Sequence, residues 1–319
     1  MNKKASVLKP FGRWFSELSE SMKAFWSRHR KKAFAYPYVL WMAVFVVIPI
    51  ILILLYAFTS ANGGFTLKNF SGMASYAPVF GRSMWLAFLA TLICLLVGYP
   101  VALAISRTSQ KTQRIIIMLL MLPMWINFLL RTYAWMSLLE NTGLINRLLE
   151  QIGVFDLINK IGLANAADPA KYIPIEHFQM INTGGAVVLG MVYNYLPFMI
   201  LPIHSVIIKI DPFVIEAAED LGANRSTVFR KVVFPLSLSG VVSGITMVFV
   251  PSVSTFVISK LLGGGTDMLL GDLIEMQFLG AAYNPHLGSA ISLIMMVIVV
   301  VCMSIMNKFG EGEEQAVLM

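Results

Sequence analysis

The sequence predicts an all-α membrane protein whose chain crosses the bilayer six times. Of its 319 residues, 57% are hydrophobic and only 13% are charged, whereas ordinary soluble domains have about 25% charged residues. A soluble fold of this size buries about three quarters of its surface at most. It could not hide this much apolar area, so we expect most of these side chains to face lipid or other helices.

Six apolar runs are long enough to span a membrane. A bilayer core of about 30 Å requires about 20 helical residues. None of the runs alternates between apolar and polar residues, and open sheets do not cross bilayers, which leaves helices. The predicted spans are Tyr38–Thr59, Ser83–Ser106, Ile115–Leu139, Thr183–Ile208, Leu236–Ser259 and Leu287–Asn307.

The distribution of basic residues predicts the orientation. Of the 24 Lys and Arg residues, nine lie in the first 37 residues, three in the second loop, four in the fourth loop and one after the last span. The alternate loops together hold six, and Arg131 lies within a span. This bias places both termini in the cytoplasm of a multi-pass inner membrane protein. It explains the net charge of +7 without a nucleic-acid partner.

The segments outside the spans divide the chain into three parts. Residues 1–37 form a basic cytoplasmic tail whose aromatic residues have nearly helical spacing, which predicts an interfacial helix; a disordered tail is the alternative. Residues 38–307 form the six-helix transmembrane domain, and residues 308–319 a second cytoplasmic tail. We expect short helices in the loop at 140–182. A mobile turn at Gly263–Gly265 precedes a short helix or a re-entrant segment.

Motifs for catalysis and cofactor binding are missing from the sequence. It has no P-loop, no G-x-S-x-G, no H-E-x-x-H and no zinc-type spacing of histidines or cysteines. Its two cysteines, Cys94 and Cys302, both lie in apolar runs and form no disulfide framework. The sequence therefore predicts a non-enzymatic chain with no metal or cofactor of its own.

The fourth loop, "IDPFVIEAAEDLGANRSTVFRKVVFPLSLSG", carries the clearest local signals. Asp211 and Pro212 suit the start of a helix, and Gly222 suits its end in a left-handed conformation. Asn224 or Ser226 can begin a second helix, and Pro235 marks the beginning of the fifth span. These signals predict a helix–turn–helix on the cytoplasmic face.

The first helix of this loop offers a surface for a partner. Ala217 and Ala218 leave it bare and rigid, and the charges of Glu216, Glu219 and Asp220 flank them. Such a surface can enter a cleft on a soluble protein and transmit its motion. An ordinary amphipathic connector is the alternative interpretation.

The string "EAAEDLGANRSTVFRKVVFP" resembles the E-A-A-x-x-x-G signature, closed by a proline, of membrane subunits of binding-protein-dependent ABC importers. The resemblance implies a type I importer permease fold in which the loop at 210–235 contains the coupling helix. It assigns coupling to Glu216, Ala217, Ala218, Glu219, Asp220, Gly222, Arg225 and Pro235.

The same resemblance implies the partners. They are a second homologous permease, two ATPase subunits that bind ATP and Mg, and an extracytoplasmic substrate-binding protein. Strings that begin at Pro123, Tyr193 and Leu269 are similar to the first permease of spermidine/putrescine importers. The same machine for a sugar, an iron chelate or an opine is the main alternative. A secondary transporter or a membrane scaffold would work without ATP.

Polyamines are chains of ammonium groups, which favour carboxylates and aromatic faces. The candidate pathway residues are Trp125, Tyr133, Trp135, Tyr193, Tyr195, Asp267, Asp272 and Glu275. Aromatic residues at span ends also form interface belts, which is the alternative role. Arg131 would repel a polyamine and is not a ligand; it suits snorkelling or an ion pair with an outer-loop acid.

Prolines and glycines of the fourth and fifth spans predict how these helices pack. Pro197, Pro202 and Pro251 can kink their helices around a cavity. Gly240 and Gly244 allow close helix packing, with a second permease as one candidate neighbour.

Overall fold

The computed structural model describes residues 36–60, 62–165, 173–265, 268–280 and 282–317. Within these ranges the regular structure is helical apart from one isolated antiparallel bridge between Thr59 and Phe65. The predicted N-terminal interfacial helix and the candidate residue Asp267 lie outside the described residues.

The chain is a succession of helices joined by short turns, with three further helical turns at Lys68–Ser71, Met73–Tyr76 and Leu122–Trp125. The helices are α1 (Tyr36–Phe58), α2 (Ala77–Ser106), α3 (Gln110–Met121), α4 (Phe128–Leu139), α5 (Leu144–Gln151), α6 (Val154–Asn165), α7 (Gly184–Ile207), α8 (Pro212–Asp220), α9 (Arg225–Leu236), α10 (Leu238–Ser254), α11 (Val257–Leu262), α12 (Leu270–Leu279) and α13 (Pro285–Val317).

Four helices within the described ranges are long and apolar enough to cross a membrane by themselves, and two bent pairs bring the total to six. The four are α1, α2, α7 and the first part of α13. The bent pairs correspond to the third and fifth predicted spans. The six-span architecture is therefore confirmed, but two of its spans are not continuous helices.

The prediction that the third span, Ile115–Leu139, is one helix was wrong. The chain bends by 88° between Gln110–Trp125 and Phe128–Gln151. Asn127 accepts a hydrogen bond from the Leu129 backbone N–H at 2.8 Å and so begins a new helix. A proline, Pro123, lies in the last turn before the bend. Local capping chemistry thus interrupts a run whose composition is uniformly apolar.

The fifth predicted span ends earlier than expected. Its helix α10 stops at Ser254, and Thr255 has an extended backbone before α11 begins. Gly271 of α12 lies against the freed carbonyl oxygens. A Cβ at Gly271 would be 2.5 Å from the Thr255 oxygen and 2.6 Å from the Ser254 oxygen. Only glycine allows α12 to lie this close to the two carbonyl oxygens. The break after α10 therefore depends on a glycine at position 271 of α12.

Helix α13, which contains the sixth predicted span, is longer than predicted. It continues from Pro285 to Val317, through residues 308–317 that the sequence interpretation treated as a cytoplasmic tail. The short helices expected within residues 140–182 are present as α5 and α6.

Helices α2, α7 and α10 form the packed centre of the chain. Met199 of α7 is fully buried between two glycines. A Cβ at Gly98 would lie 2.9 Å from its Cγ, and a Cβ at Gly244 would lie 2.8 Å from its Sδ. A Cβ at Gly240 would lie 2.9 Å from the Pro202 carbonyl oxygen. The predicted close packing at Gly240 and Gly244 therefore occurs within this chain, not against a second permease.

The first helix is peripheral by comparison. None of the residues in its most apolar stretch is buried, and it packs mainly against α13. The interior of the chain is thus built almost without α1, of which only Ala57 near the end is buried.

Candidate functional site

The loop between α7 and α10 folds as the predicted helix–turn–helix. The Asp211 side chain accepts a hydrogen bond from the Phe213 backbone N–H at 3.0 Å, and Pro212 occupies the first turn of α8. The helix ends at Asp220, and two residues later Gly222 has a left-handed φ of +84° that turns the chain away. The Gly222 N–H donates to the Glu219 carbonyl at 2.8 Å, and the Ala223 N–H donates to Ala218 at 3.1 Å. These bonds satisfy the last carbonyls of α8.

The second helix of the loop runs into the fifth span. Asn224 caps it by accepting from the Thr227 backbone N–H at 2.9 Å, so Asn224 rather than Ser226 starts the helix. A π-helical turn follows at Phe229–Val233. Between α9 and α10 the axis bends by 61°, and Pro235 lies just before this bend.

An aromatic cluster joins this second helix to α2, with Tyr99 buried, Phe229 half-buried and Phe234 exposed. The ring of Tyr99 packs edge-on against Phe229 at 5.8 Å and lies 5.7 Å from the Phe234 ring. Its hydroxyl group is 2.8 Å from the Ser237 hydroxyl. Tyr99 and Ser237 were missed by sequence reasoning, since the two residues are 138 positions apart. A tyrosine inside an otherwise apolar run was the available signal.

The outer surface of α8 is exposed, as a docking surface requires. Glu216, Ala217, Glu219, Asp220, Gly222 and Arg225 are exposed, whereas Ala218 and Pro235 are half-buried. Phe213 is 75% exposed and Leu221 is 90% exposed. The exposed face of α8 is therefore more apolar than Ala217 and Ala218 alone would make it. Ala218 contributes less to this face than the sequence predicted.

The inner side of α8 faces a cavity of about 540 Å³ between the loop and the spans. Ile215 and Glu219 of α8 line it, together with Arg107 at the end of α2 and Arg225 of α9. The remaining lining is mainly apolar and comes from Leu103, Ser106, Ile207, Ile208, Ile210, Pro212, Val228, Phe229 and Val233. Helix α8 thus stands away from the spans instead of packing flat on them.

The aromatic pathway candidates do not form one site. Trp135 of α4 and Tyr193 of α7 meet edge-to-face with ring centroids 5.3 Å apart. Trp125 is 80% exposed at the bend of the third span, and Tyr133 is 46% exposed. The Tyr195 hydroxyl group interacts with Thr255, at the break after α10, and is near Arg131.

Arg131 has no acidic partner in the part of the chain that the structure describes. Its Nε atom is buried without a hydrogen bond, and its guanidinium carbon lies 6.0 Å from the centre of the Phe128 ring. The ion pair with an outer-loop acid considered from the sequence is thus not found among these residues. A cation–π contact with Phe128 takes its place.

The acidic candidates Asp272 and Glu275 lie on α12. Glu275 forms an ion pair with Lys260 at 3.1 Å. One oxygen of Asp272 accepts from the Leu269 backbone N–H at 2.9 Å, while its Oδ1 is buried without a partner among the described residues. Ser259 lies beside this group, but its hydroxyl donates to the Phe256 carbonyl. Burial raises the pKa of the Asp272 carboxyl above its ordinary value, although the Leu269 N–H opposes the shift.

Side chains that bind metals are scattered. Among the described residues no three His, Cys, Asp or Glu side chains are grouped so that they could hold a metal ion. The site therefore consists of an exposed, partly apolar surface on α8 and of scattered aromatic and acidic groups between the helices.

Residues 94–310 match the family model described as "Binding-protein-dependent transport system inner membrane component". The chain is 35% identical over 261 residues to the spermidine/putrescine transport system permease protein PotB of Haemophilus influenzae, covering 79% of this chain and 84% of that protein. It is 32% identical over 266 residues to PotB of Escherichia coli, covering 81% and 90%.

Solved structures agree on the fold. A chain of a bacterial ABC transporter involved in the import of the acidic polysaccharide alginate superimposes with a TM-score of 0.71 at 15% identity, covering 90% of this chain and 98% of that chain. A chain of the MetNI methionine ABC transporter superimposes with a TM-score of 0.51 at 15% identity, covering 76% of this chain and 97% of that chain.

Proposed function

This chain belongs to the family of inner membrane components of binding-protein-dependent transport systems, and we propose that it is the permease subunit of an ATP-driven importer of polyamines. The observation that carries the substrate class is the similarity to the two permeases named for spermidine and putrescine. It extends over about four fifths of this chain and most of each relative. In this role the chain forms half of the translocation pathway.

The proposed assembly supplies what the chain lacks. A second homologous permease completes the pathway, two ATPase subunits bind ATP and Mg, and an extracytoplasmic binding protein delivers the polyamine. The exposed face of α8 supports ATPase docking, because Phe213, Ala217 and Leu221 lie at intervals of four residues. Residues at this spacing share one face of a helix, and such an apolar face suits a cleft on a soluble partner.

The proposed coupling path runs from α8 into the spans. Closure of the ATPase pair would displace α8, and the turn at Gly222 transmits the displacement to α9. The cluster of Tyr99, Phe229 and Phe234 passes it to α2, while the bend at Ser237 passes it to α10. Because α2 and α10 both pack against α7, a push on the loop reaches the centre of the chain.

The proposed polyamine path uses two kinds of binding group, aromatic faces and carboxylates. Trp135 and Tyr193 present neighbouring rings, and ammonium groups bind such faces with about 0.5–2 kcal/mol. Asp272 and Glu275 supply negative charge on α12. Arg131 is excluded as a ligand because its fixed charge repels the substrate, and its guanidinium group lies over the ring of Phe128.

The proposal is tested by uptake of labelled spermidine into proteoliposomes that contain the complete transporter with its binding protein outside. We expect uptake only with ATP inside the vesicles. Glu216→Lys should abolish the coupling of ATP hydrolysis to transport and leave the affinity of the binding protein for its ligand unchanged. Uptake without ATP would indicate a secondary transporter and refute the proposal.

Competition separates the substrate classes. An excess of unlabelled putrescine should reduce spermidine uptake, whereas a sugar, an iron chelate or an opine should not. ATP-dependent uptake of one of these solutes without uptake of a polyamine would leave the importer assignment in place and overturn the substrate assignment.

A further inference from the structure

A second cavity, of about 410 Å³, lies between the start of α3 and the end of α7. It is lined by Ser106, Gln110, Gln113, Arg114, Ile117, His204 and Ile208. The residues assigned to coupling and to the substrate path take no part in it. Its position at the ends of two spans and the beginning of the next places it at a membrane boundary, whichever side that boundary faces.

His204 is the unusual member of this lining. Its side chain is only 4% exposed, and within the described residues its Nε2 atom has no hydrogen-bond partner. Buried polar atoms are nearly always hydrogen-bonded, because an unpaired one loses its hydration without compensation. An imidazole nitrogen left unpaired beside a cavity indicates that a ligand supplies the missing partner.

The other polar groups of the cavity specify the charge of that ligand. Gln113 is already used, since its amide donates to the carbonyl oxygens of Ser106 and Thr108 at 3.1 and 2.9 Å. These bonds fix the first turns of α3 against the end of α2. Arg114 and Gln110 remain on the same side as His204, and no carboxylate lines the cavity among the residues that the structure describes. A cation with neutral donors and no acid is complementary to an oxyanion.

The surroundings identify the form in which the oxyanion arrives. This cavity shares Ser106 and Ile208 with the larger cavity beneath α8, whose lining is mainly apolar. Apart from Ser106, Arg107, Glu219 and Arg225, the side chains that line that larger cavity are apolar. A charged pocket beside such a groove at the membrane boundary matches a phospholipid, which carries its phosphate next to its acyl chains. A free phosphate ion would use the polar pocket alone.

We propose that Arg114 and His204 bind a phosphate-type oxyanion in this pocket, and that an anionic phospholipid headgroup carries it. The bound group bridges α3 and α7, and Ile208 is two residues before the coupling loop at 210–235. The lipid would therefore hold the base of that loop against the second and third spans. This site is independent of the transported substrate.

The experiment uses the complete transporter, purified with its partner subunits and stripped of endogenous lipid. Phosphatidylglycerol is titrated against phosphatidylcholine by native mass spectrometry, and the melting temperature is followed in parallel. We expect one phosphatidylglycerol to be retained per copy of this chain. Arg114→Gln should weaken it roughly tenfold, the loss expected for one charge-assisted hydrogen bond.

The matched control is Lys111→Gln, which removes the same charge from the same helix at a position outside the lining. It should retain the lipid as the wild type does. His204→Leu gives a second readout. It should raise the melting temperature of the lipid-free protein, because it removes an unpaired buried atom, and should abolish the further rise that phosphatidylglycerol causes.

Titration with inorganic phosphate in detergent identifies the source of the oxyanion. A phosphate-dependent rise in melting temperature that Arg114→Gln removes, without retained phosphatidylglycerol, would keep the pocket and overturn the lipid as its carrier. Equal lipid retention in Arg114→Gln, Lys111→Gln and the wild type, with no response to phosphate, would overturn the site itself.

Discussion

The hydroxyl group of Tyr99 lies 2.8 Å from the hydroxyl group of Ser237, and this buried contact ties α2 to the junction of α9 and α10. Ser237 donates its own proton to the Phe234 carbonyl at 2.9 Å. Tyr99 is therefore the donor in the pair. One phenol proton thus connects the coupling loop to the centre of the chain.

Tyr99→Phe removes this proton and keeps the ring. We expect the free energy of unfolding to fall by about 1 kcal/mol, the usual net value of one hydrogen bond. The amount of substrate transported per ATP hydrolysed should fall as well. Ser252→Ala is the control, because Ser252 is equally buried but bonds only within its own helix, to Val248. Equal transport per ATP in the two variants would remove Tyr99 from the coupling path.

Gly222→Ala tests the turn after α8. The position is left-handed with φ of +84°, and no neighbouring atom lies within 4 Å of the place where a Cβ would stand. The substitution therefore acts through backbone strain of about 1–2 kcal/mol. We expect ATP hydrolysis to become uncoupled from transport. Gly153→Ala carries the same strain, with φ of +77° and equally open space, but lies between α5 and α6. It should leave ATP-driven transport unchanged.

Gly240→Ala tests the contact between α10 and α7. Its Cβ would meet the Pro202 carbonyl oxygen at 2.9 Å and the Ile203 Cα at 3.1 Å, and backbone atoms cannot rotate away. We expect a loss of about 1–3 kcal/mol of stability, as for other overpacked sites, seen as a lower melting temperature. Gly81→Ala, in the open part of α2, should be neutral or stabilising because alanine favours helices.

Asp272 predicts a dependence of stability on pH. Since burial raises the pKa of its carboxyl in the folded protein, the folded state holds this proton more tightly than the unfolded state. Its contribution to stability is thus complete below the unfolded pKa and is lost as the pH rises through the higher folded value. We expect the difference in melting temperature between Asp272→Asn and the wild type to increase as the pH rises from about 4 to neutrality.

The charge of Glu275 contributes to this shift, because it also raises the pKa of the Asp272 carboxyl. In a Glu275→Gln background, the melting difference that Asp272→Asn causes at neutral pH should therefore be smaller than in the wild-type background. A flat difference for Asp272→Asn would contradict the raised pKa.

Local chemistry explains which features were predictable from sequence. Asp211, Pro212 and Gly222 act on atoms a few residues away, so the loop geometry could be derived from the chain alone. The break at Asn127 had the same kind of signal. It was overlooked because an apolar run of sufficient length was interpreted as one helix.

Contacts between distant segments could not be derived in this way. The meeting of Trp135 with Tyr193, the bond from Tyr99 to Ser237 and the orphaned nitrogen of His204 depend on how separate helices pack. A residue pattern gives the type of each helix and its apolar positions, but it does not give the rotation of one helix against the next. The sequence therefore predicted the candidate surface on α8. Between the spans it predicted individual candidate residues but not which of them meet.

The position of Met199 has a mechanical consequence. One unbranched thioether fills the space that Gly98 and Gly244 leave on the two helices beside α7. A branched side chain there would interlock with its neighbours and resist sliding, whereas methionine changes rotamer at little cost and stays in contact. At the crossing of these three helices, Met199 can therefore change rotamer as the helices tilt, so that the contact stays filled and no void opens.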